Sequence, residues 1–286
     1  MDYNFQQDLQ SIREILGLNQ SALASDLDIQ QITVSRNETG KTSPSRDFLE
    51  KVYSYAFGKG IQLNRIKGML WKENISADHK LLFHGSKSLI SGPLTIQAGR
   101  TGTDFGRGFY AGETYEQAVS FVSGYTDPSV YILDFDNTNL KCLQFSVSQD
   151  WMMTIAWFRG GLMQYQDHPL IRQYAENVRN CDYVIAPIAD NRMFQIIDSF
   201  INGEITDEQC SHCLAATNLG NQYVMTSEKA IRQVRLLERC YIPENEKSWY
   251  RSVRSSDAEM GSQKVKMARI QYRGKGQYID EILSKQ

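Results

Sequence analysis

Two stretches of the chain place a polar or aromatic side chain beside glycines, where a ligand could reach it. In "KLLFHGSK", the apolar run 81–83 predicts a buried strand that ends at His84. Gly85 has no side chain and can let a ligand approach the backbone closely. In "DFGRGFYA", a glycine-rich loop leads into a short aromatic strand that carries Tyr110. Alone, His84 and Tyr110 are each also typical of core residues, so only their joint occurrence favours a binding site.

Asp104 begins the triplet Asp-Phe-Gly, which matches the magnesium-binding motif of protein kinases. A kinase also needs a glycine-rich loop, a strand lysine and an H-R-D catalytic loop ahead of that triplet. None of these precedes Asp104. We therefore interpret Asp104 as a loop anchor and predict no metal.

The cysteines do not indicate a disulfide framework, because they form an odd and scattered set of five. Cys210 and Cys213 flank His212, but a structural zinc site usually has four ligands and no second CxxC occurs. We interpret the pair as cysteines on one face of a helix, beside an incidental histidine.

The elements that must position these residues fall into three segments. Residues 1–75 are predicted to be almost entirely helical, and 76–243 to alternate short strands with helices. Residues 244–286 are polar and locally basic. This last segment is predicted to be a solvated or partner-binding tail, with nucleic-acid binding as the alternative. The polar stretch "WKENISADHK" predicts a brief linker after the helical segment.

The first segment predicts a helix-turn-helix. Asn19 can cap a helix with Leu23 and Leu27 on its apolar face, and Asp28 tolerates the left-handed conformation of a tight turn. A second short helix carries Ile29, Ile32 and Ser35, and stops before Gly40 and Pro44.

The pattern "Q-x-x-LA-x-x-L … VSR-x-E-x-G … P" resembles the phage-repressor-like helix-turn-helix family over about 60 residues. The resemblance implies that Gln20 contacts a phosphate and that Gln31, Thr33 and Arg36 face base edges of operator DNA. Asn37 stands where that family often has an aromatic residue. A helix-turn-helix that only dimerises or docks a partner protein is the alternative.

The middle segment resembles the ADP-ribosyltransferase superfamily in four stretches: "FHGSK" (83–87), "DFGRGFYAGETYEQA" (104–118), "DYVIAPIADNRMF" (182–194) and "QYVMTSEKAI" (222–231). They are similar to a bacterial branch long catalogued as a domain of unknown function, whose members often lie beside toxin–antitoxin-type genes. The implied fold class is α+β. An all-α helix-turn-helix bundle would precede a split antiparallel β-sheet domain with helical insertions.

The resemblance also implies NAD as the substrate, bound in a cleft between two small antiparallel sheets. His84 would hydrogen-bond a ribose hydroxyl, and Gly85 with Ser86 would hold the nicotinamide end. Tyr110 would stack on the nicotinamide ring. Either Arg100 or Arg107 could contact the pyrophosphate. Asp104 would anchor the loop or the adenosine end of NAD.

Most members of that family use a glutamate to grip the ribose 2′-hydroxyl, and here the matching position holds Gln222. A glutamine carbonyl can accept a hydrogen bond but cannot act as a base. Glu228 is a nearby carboxylate, in a predicted helix capped by Thr226 or Ser227, so it is the alternative third catalytic residue. Asp190, Asn191 and Arg192 could line the acceptor side or form a polar turn.

The apolar fraction of 41% supplies a sizeable core, and the net charge of −2 gives no general attraction to nucleic acid. The amino terminus is unlike a signal peptide and no apolar run reaches about 18 residues, so we expect a cytoplasmic protein with no membrane segment.

Three functions follow from these features. The first is an ADP-ribosyltransferase acting on a nucleic acid or protein, as a toxin–antitoxin or phage-defence effector. The second is a DNA-binding regulator whose other domain senses NAD without catalysis. The third is a module that scaffolds a partner antitoxin protein.

Overall fold

The computed structural model describes residues 2–189, 191–216 and 219–284, and its helices and strands place the chain in the α+β class. The helices are α1 Phe5–Ile15, α2 Gln20–Asp26, α3 Gln31–Glu38, α4 Arg46–Gly58, α5 Leu63–Asn74, α6 Tyr115–Val122, α7 Gln149–Phe158, α8 Pro169–Arg179, α9 Asn191–Ile201, α10 Asp207–Ala215, α11 Glu228–Arg232, α12 Glu244–Gln271 and α13 Ile279–Leu283. The strands are β1 His79–Ser86, β2 Phe109–Gly112, β3 Ser129–Asp136, β4 Cys142–Gln144, β5 Tyr183–Pro187, β6 Asn221–Met225 and β7 Val234–Tyr241.

The chain divides into two compact units. Unit 1 comprises Met1–Gly92, Thr114–Asp134 and Arg235–Val253. Unit 2 comprises Pro93–Glu113, Phe135–Val234 and Arg254–Gln286. This division differs from the predicted segments 1–75, 76–243 and 244–286. The five N-terminal helices share a unit with β1, α6 and most of β3 and β7, because those later elements return to them in space.

The segment predicted to be a helix-turn-helix contains α2 and α3, two short helices of the N-terminal helical region. The Asn19 side chain accepts a hydrogen bond from the Ala22 amide, as expected of a cap, and Asp28 adopts the left-handed conformation with φ of 48°. Leu23 and Leu27 are buried as predicted. Ile32, by contrast, lies on the exposed face of α3.

The remaining part of unit 1 contains the strand order β1-β3-β7 and helix α6, whose start was predicted from sequence. Thr114 and Gln117 form the expected capping box at the start of α6. A side-chain carbon added at Gly85 would lie 2.5 Å from the Ala118 carbonyl oxygen of α6. Gly85 therefore allows helix α6 to pack directly on β1, in addition to any role in ligand binding.

The predicted linker is shorter than expected. Trp71 still belongs to α5, and its indole nitrogen donates a hydrogen bond of 2.8 Å to Glu238 in the same unit. His79 already begins β1. Only residues 75–78 connect the two elements, because the indole contact fixes the end of the helix.

In unit 2 the strand order is β4-β5-β6-β2. Strand β6 pairs antiparallel with both β2 and β5, whereas β4 and β5 are parallel. The sheet is therefore mixed, and the prediction of an antiparallel sheet was wrong for the β4–β5 pair. The crossover through α7 and α8 explains this direction, because parallel neighbours need a long connection.

The core of unit 2 is built from the aromatic and methionine-rich stretch that sequence analysis assigned to the interior. Trp151, Met152 and Met153 of α7 are fully buried, and Ile171 and Tyr174 of α8 pack with them. This prediction is confirmed, and it reflects apolar residues at helical spacing.

The C-terminal segment, predicted to be a solvated or partner-binding tail, forms the helices α12 and α13. Ala268 of α12 and Ile279 and Ile282 of α13 are buried in the core of unit 2. The polar composition of the segment hides these few apolar residues. Within the described residues, no helix combines the length and apolar character needed to span a bilayer.

Candidate functional site

Tyr110 lies on β2 and its hydroxyl is fixed by the preceding loop. The hydroxyl accepts a hydrogen bond of 3.1 Å from the Phe105 amide and donates one of 2.8 Å to the Gly106 carbonyl. The Thr103 hydroxyl lies 2.7 Å away. Burial raises the pKa of Tyr110, so the phenol stays neutral across the physiological range. The ring is partly exposed, and its orientation is set by the loop 103–106.

Gln222 on β6 shares a sheet face with Tyr110. The antiparallel register pairs Gly112 with Gln222 and Tyr110 with Val224. Opposite residues of an antiparallel pair point to the same face, so Tyr110 and Gln222 are diagonal neighbours across the two strands. Gly112 contributes no side chain between them. The sheet pairing thus brings together two of the three predicted catalytic residues.

The amide group of Gln222 has a defined orientation. Its Nε2 donates hydrogen bonds of 2.8 Å to Asp104 Oδ2 and 3.2 Å to the Pro187 carbonyl. Both partners are acceptors, so the NH₂ end must face them. Within the described residues, no donor bonds to Gln222 Oε1. The carbonyl oxygen is therefore the end left to accept a hydrogen bond from a ligand.

Asp104 is buried and forms hydrogen bonds with both Gln222 and Arg159. Arg159 Nε and Nη2 donate hydrogen bonds of 3.0 and 2.7 Å to Asp104 Oδ1. Burial raises the pKa of Asp104, and this exceeds the lowering by the Arg159 charge and the Gln222 hydrogen bond. The arginine guanidinium also lies over the Phe194 ring, with 3.1 Å from Cζ to the ring centre.

Sequence analysis did not identify Arg159. It is the C-cap of α7 in the segment "WFRGG", where a cation is usual near the helix carboxyl end. From the sequence alone, Arg159 is a charged residue that follows an apolar helix. It does not show that this charge meets an aspartate 55 positions earlier.

Glu228 occupies the first turn of α11 and is exposed. The Ser227 hydroxyl accepts a hydrogen bond from the Ala230 amide, which identifies Ser227 as the cap. Gln222, not Glu228, shares a face with Tyr110 and contacts Asp104. The assignment of Gln222 as the third catalytic residue stays a prediction.

His84, Gly85 and Ser86 end strand β1 in unit 1. His84 is partly buried, and the Ser86 hydroxyl donates a hydrogen bond of 2.7 Å to the Ser88 carbonyl. Arg100 and Arg107 belong to the glycine-rich loop of unit 2, and both side chains are exposed. Arg107 donates to Gln97 Oε1 at 3.0 Å.

Two of the four residues expected to contact DNA, Gln20 and Gln31, belong to one chain of side-chain hydrogen bonds. Gln31 Nε2 donates to Gln20 Oε1, and Gln20 Nε2 donates to Glu38 Oε2, both at 2.7 Å. Glu38 also pairs with Arg13 at 2.7 Å. Thr33 is partly buried and Arg36 is exposed on the same helix α3. Gln20 and Gln31 therefore act as a unit.

Cys210 and Cys213 lie one turn apart on α10 and are buried. Their thiols face the carbonyls of Ile196 and Val265, and His212 stacks on Tyr272 instead, with ring centres 3.5 Å apart. The interpretation as helix-face cysteines is confirmed. In the part of the chain that the structure covers, no group of three or more His, Cys, Asp or Glu side chains could hold a metal ion.

Asp190 and the side chains of Asn191 and Arg192 lie outside the described residues.

Comparison with known proteins yields one match. A family model described as "Protein of unknown function (DUF3990)" matches residues 81–236. Neither the curated proteins nor the solved structures contain a match. The matched range carries β1, the glycine-rich loop, Tyr110, Asp104, Arg159 and Gln222. Because it covers more than half of the 286 residues, the chain belongs to the DUF3990 family.

Proposed function

We propose that this chain is an NAD-dependent ADP-ribosyltransferase that moves ADP-ribose onto a macromolecular acceptor. The observation that carries the proposal is the position of Tyr110 and an oriented Gln222 as diagonal neighbours on one sheet face. An aromatic ring can hold nicotinamide by stacking. A carbonyl oxygen beside it can accept the hydrogen bond of a ribose hydroxyl.

The resemblance of the sequence motifs assigns the other roles. His84 hydrogen-bonds a ribose hydroxyl, and the backbone of Gly85, with Ser86, holds the carboxamide of nicotinamide. The exposed Arg100 and Arg107 contact the pyrophosphate. Asp104 acts on the site through its hydrogen bond to Gln222.

The reaction breaks the bond between the nicotinamide nitrogen and C1 of its ribose, and the electron pair leaves with nicotinamide. A nucleophile of the acceptor forms the new bond to C1. The transition state resembles an oxocarbenium ion, so oriented acceptor dipoles beside the ribose lower its energy. Gln222 supplies such a dipole but takes no proton, since an amide is not a base at neutral pH.

We expect the protein to release nicotinamide from labelled NAD and to transfer the label to a macromolecule. Loss of one hydrogen bond to the ribose costs about 1–3 kcal/mol, so His84→Ala should lower the rate by roughly fivefold to 150-fold. Tyr110→Ala should behave similarly, whereas Tyr125→Ala removes an exposed tyrosine and should change nothing. High-pressure chromatography of nicotinamide and mass spectrometry of the labelled acceptor are the measurements.

The proposal fails if the wild type releases no nicotinamide, transfers no label and is indistinguishable from His84→Ala. The biological setting that fits such an enzyme is a toxin–antitoxin or phage-defence effector. Its acceptor would be a nucleic acid or a protein, which the mass spectrum of the product distinguishes.

DNA binding by the helix-turn-helix is a second candidate function, and it is compatible with a unit that senses NAD without catalysis. The observation that favours it is the Arg13–Glu38–Gln20–Gln31 chain of contacts. Such a network holds two amide side chains in place before DNA binds, which reduces the entropy lost on binding. Amide side chains in this position can bond base edges and phosphates.

We expect the protein to select a specific duplex from a random-sequence library. Gln31→Ala should reduce the preference for that duplex over random DNA by about 1–3 kcal/mol, because one base contact is lost. Gln10→Ala removes an exposed glutamine of α1 and serves as the control. Fluorescence anisotropy with and without NAD measures both effects. Equal affinity of wild type and Gln31→Ala for selected and random duplexes would exclude this function, and indifference to NAD would exclude the sensor version.

A further inference from the structure

We infer that Asp104 and Arg159 are positioning residues that set both the identity and the orientation of residue 222. The inference rests on the proposed function for its catalytic consequence, but its structural part stands on the contacts alone. It explains why position 222 holds glutamine, and which two side chains orient that glutamine to accept a hydrogen bond from the ribose.

The first step is the division of the Asp104 carboxylate between two partners. Oδ1 receives both hydrogen bonds from Arg159, and Oδ2 receives the one from Gln222. The guanidinium lies against the Phe194 ring, which restricts it to this side of the carboxylate. Asp104 therefore cannot rotate without losing either the arginine or the glutamine.

The second step is the exclusion of glutamate at position 222. A glutamate there would place an oxygen where Nε2 now stands, 2.8 Å from Asp104 Oδ2 and 3.2 Å from the Pro187 carbonyl. Three acceptors would meet there unless one of the two carboxyl groups took up a proton, which costs free energy at neutral pH. Asp104 and Gln222 are both buried, so water would not screen the two carboxylates. Glutamine therefore suits this position at neutral pH, because it supplies the protons that a glutamate would have to take up.

The third step is the consequence for the reaction. With NH₂ held by Asp104 and Pro187, the carbonyl end points away from them and is available to the ribose hydroxyl. If the amide were reversed, Gln222 would present a donor, which suits an oxocarbenium-like transition state poorly. Because this contact strengthens as charge develops, its loss should appear in kcat more than in KM.

Asp104→Asn, Gln222→Glu and the double variant test the inference as a cycle. Asparagine at 104 can keep its oxygen toward Arg159 and turn its NH₂ toward residue 222, where it opposes glutamine but suits glutamate. We expect each single variant to lower kcat at least tenfold with KM changed less than about threefold, and the double variant to recover most of that loss. Thermal denaturation should follow the same pattern, with Gln222→Glu least stable and the double variant more stable than Gln222→Glu.

Arg159→Lys gives a second route if Asp104→Asn does not fold. Lysine keeps the charge but cannot make the two-nitrogen contact, so kcat should fall while the protein remains folded. Arg172→Lys is the matched control, because Arg172 pairs with the exposed Asp167. Losses that simply multiply in the double variant, or an Asp104→Asn variant with unchanged kcat, would overturn the inference.

The two proposals fail in different ways. A wild type that releases no nicotinamide removes the proposed function and the catalytic role of Asp104 with it. Thermal denaturation of the single and double variants then still tests the structural part of the inference. A glutamate at position 222 should destabilise the protein less when residue 104 is asparagine than when it is aspartate. An active wild type with additive variants removes the inference and leaves the proposed function intact.

Discussion

Replacing Lys67 with methionine is expected to lower the free energy of unfolding of the protein by about 3–5 kcal/mol, because it leaves buried carboxylates without their cation. Lys67 Nζ lies 2.5 Å from Asp8 Oδ2 and 2.7 Å from Glu238 Oε1, and all three side chains are nearly inaccessible. Tyr53 also donates a hydrogen bond to Asp8. Methionine retains the apolar stem, so the loss measures the charge and not the packing.

The pKa of Asp8 gives the expected pH dependence. Burial raises it, and this outweighs the lowering by the Lys67 charge. Without Lys67 the pKa rises further, so Asp8 is protonated more readily in the folded state. A carboxyl group whose pKa is raised on folding stabilises the folded state at low pH, and this stabilisation is lost as the pH rises. The loss in free energy of unfolding caused by Lys67→Met should therefore become smaller as the pH falls from 7 toward 4.5.

Urea denaturation followed by fluorescence measures the effect, and Lys72→Met is the control. Lys72 is an exposed lysine on the same helix α5. Adding Asp8→Asn to Lys67→Met should recover part of the stability, because a neutral amide replaces an unpaired carboxylate. A Lys67→Met protein as stable as Lys72→Met would show that the buried ions contribute no net stabilisation.

Glu246→Gln should stabilise the protein at alkaline pH and have little effect at acidic pH. Burial raises the pKa of Glu246 from its ordinary value of 4.5 to about 7. The carboxyl is therefore protonated in the folded state at pH values where the unfolded chain is ionised. Its favourable contribution is complete below about 4.5 and is lost as pH rises through about 7. At pH 8 the cost of ionising it is about 3 kcal/mol as an upper bound, and glutamine removes that cost.

Two buried polar side chains lie beside Glu246. Tyr115 donates a hydrogen bond of 2.9 Å to Glu246 Oε1, and Asn64 donates to Tyr115 at 2.9 Å. Asn64 Oδ1 is buried and, among the described residues, has no hydrogen-bond partner. Burial outweighs the hydrogen bonds from Tyr115 and Asn64, which on their own lower the pKa of Glu246.

Thermal denaturation at pH 5 and pH 8 checks this prediction, with Glu259→Gln as the control for removing a charge from α12. Glu259 is exposed on the same helix. A melting temperature that rises equally at both pH values, or only in Glu259→Gln, would contradict the assignment of Glu246.

The sequence predicted the local elements well where one residue determines the geometry. Asp28 marked the left-handed turn, Asn19 the cap of α2, and Thr114 with Gln117 the capping box of α6. These signals act over three or four residues, so they are visible in the sequence. The parallel β4–β5 pair and the burial of Ile279 and Ile282 depend on distant packing, which no local pattern encodes.

Individual residues of the candidate site could be predicted from the sequence, but the hydrogen bonds and ion pairs between them could not. Tyr110 and Gln222 were identified from motifs, and the strand register brings them to one face. Arg159 was missed, because a charged residue after an apolar helix normally indicates only a helix end. Asp104 and Gln222 bond across 118 positions, and charged or amide side chains carry no periodic signal of such a partner. The buried Lys67 was missed for the same reason.

The contact between Asp104 and Gln222 also constrains how this chain can evolve. A descendant that acquires glutamate at position 222 first would pass through a protein with two facing buried carboxylates. A descendant in which Asp104 first becomes asparagine avoids that intermediate. The two positions should therefore change in a fixed order, and sequences with aspartate at 104 together with glutamate at 222 should be rare among relatives.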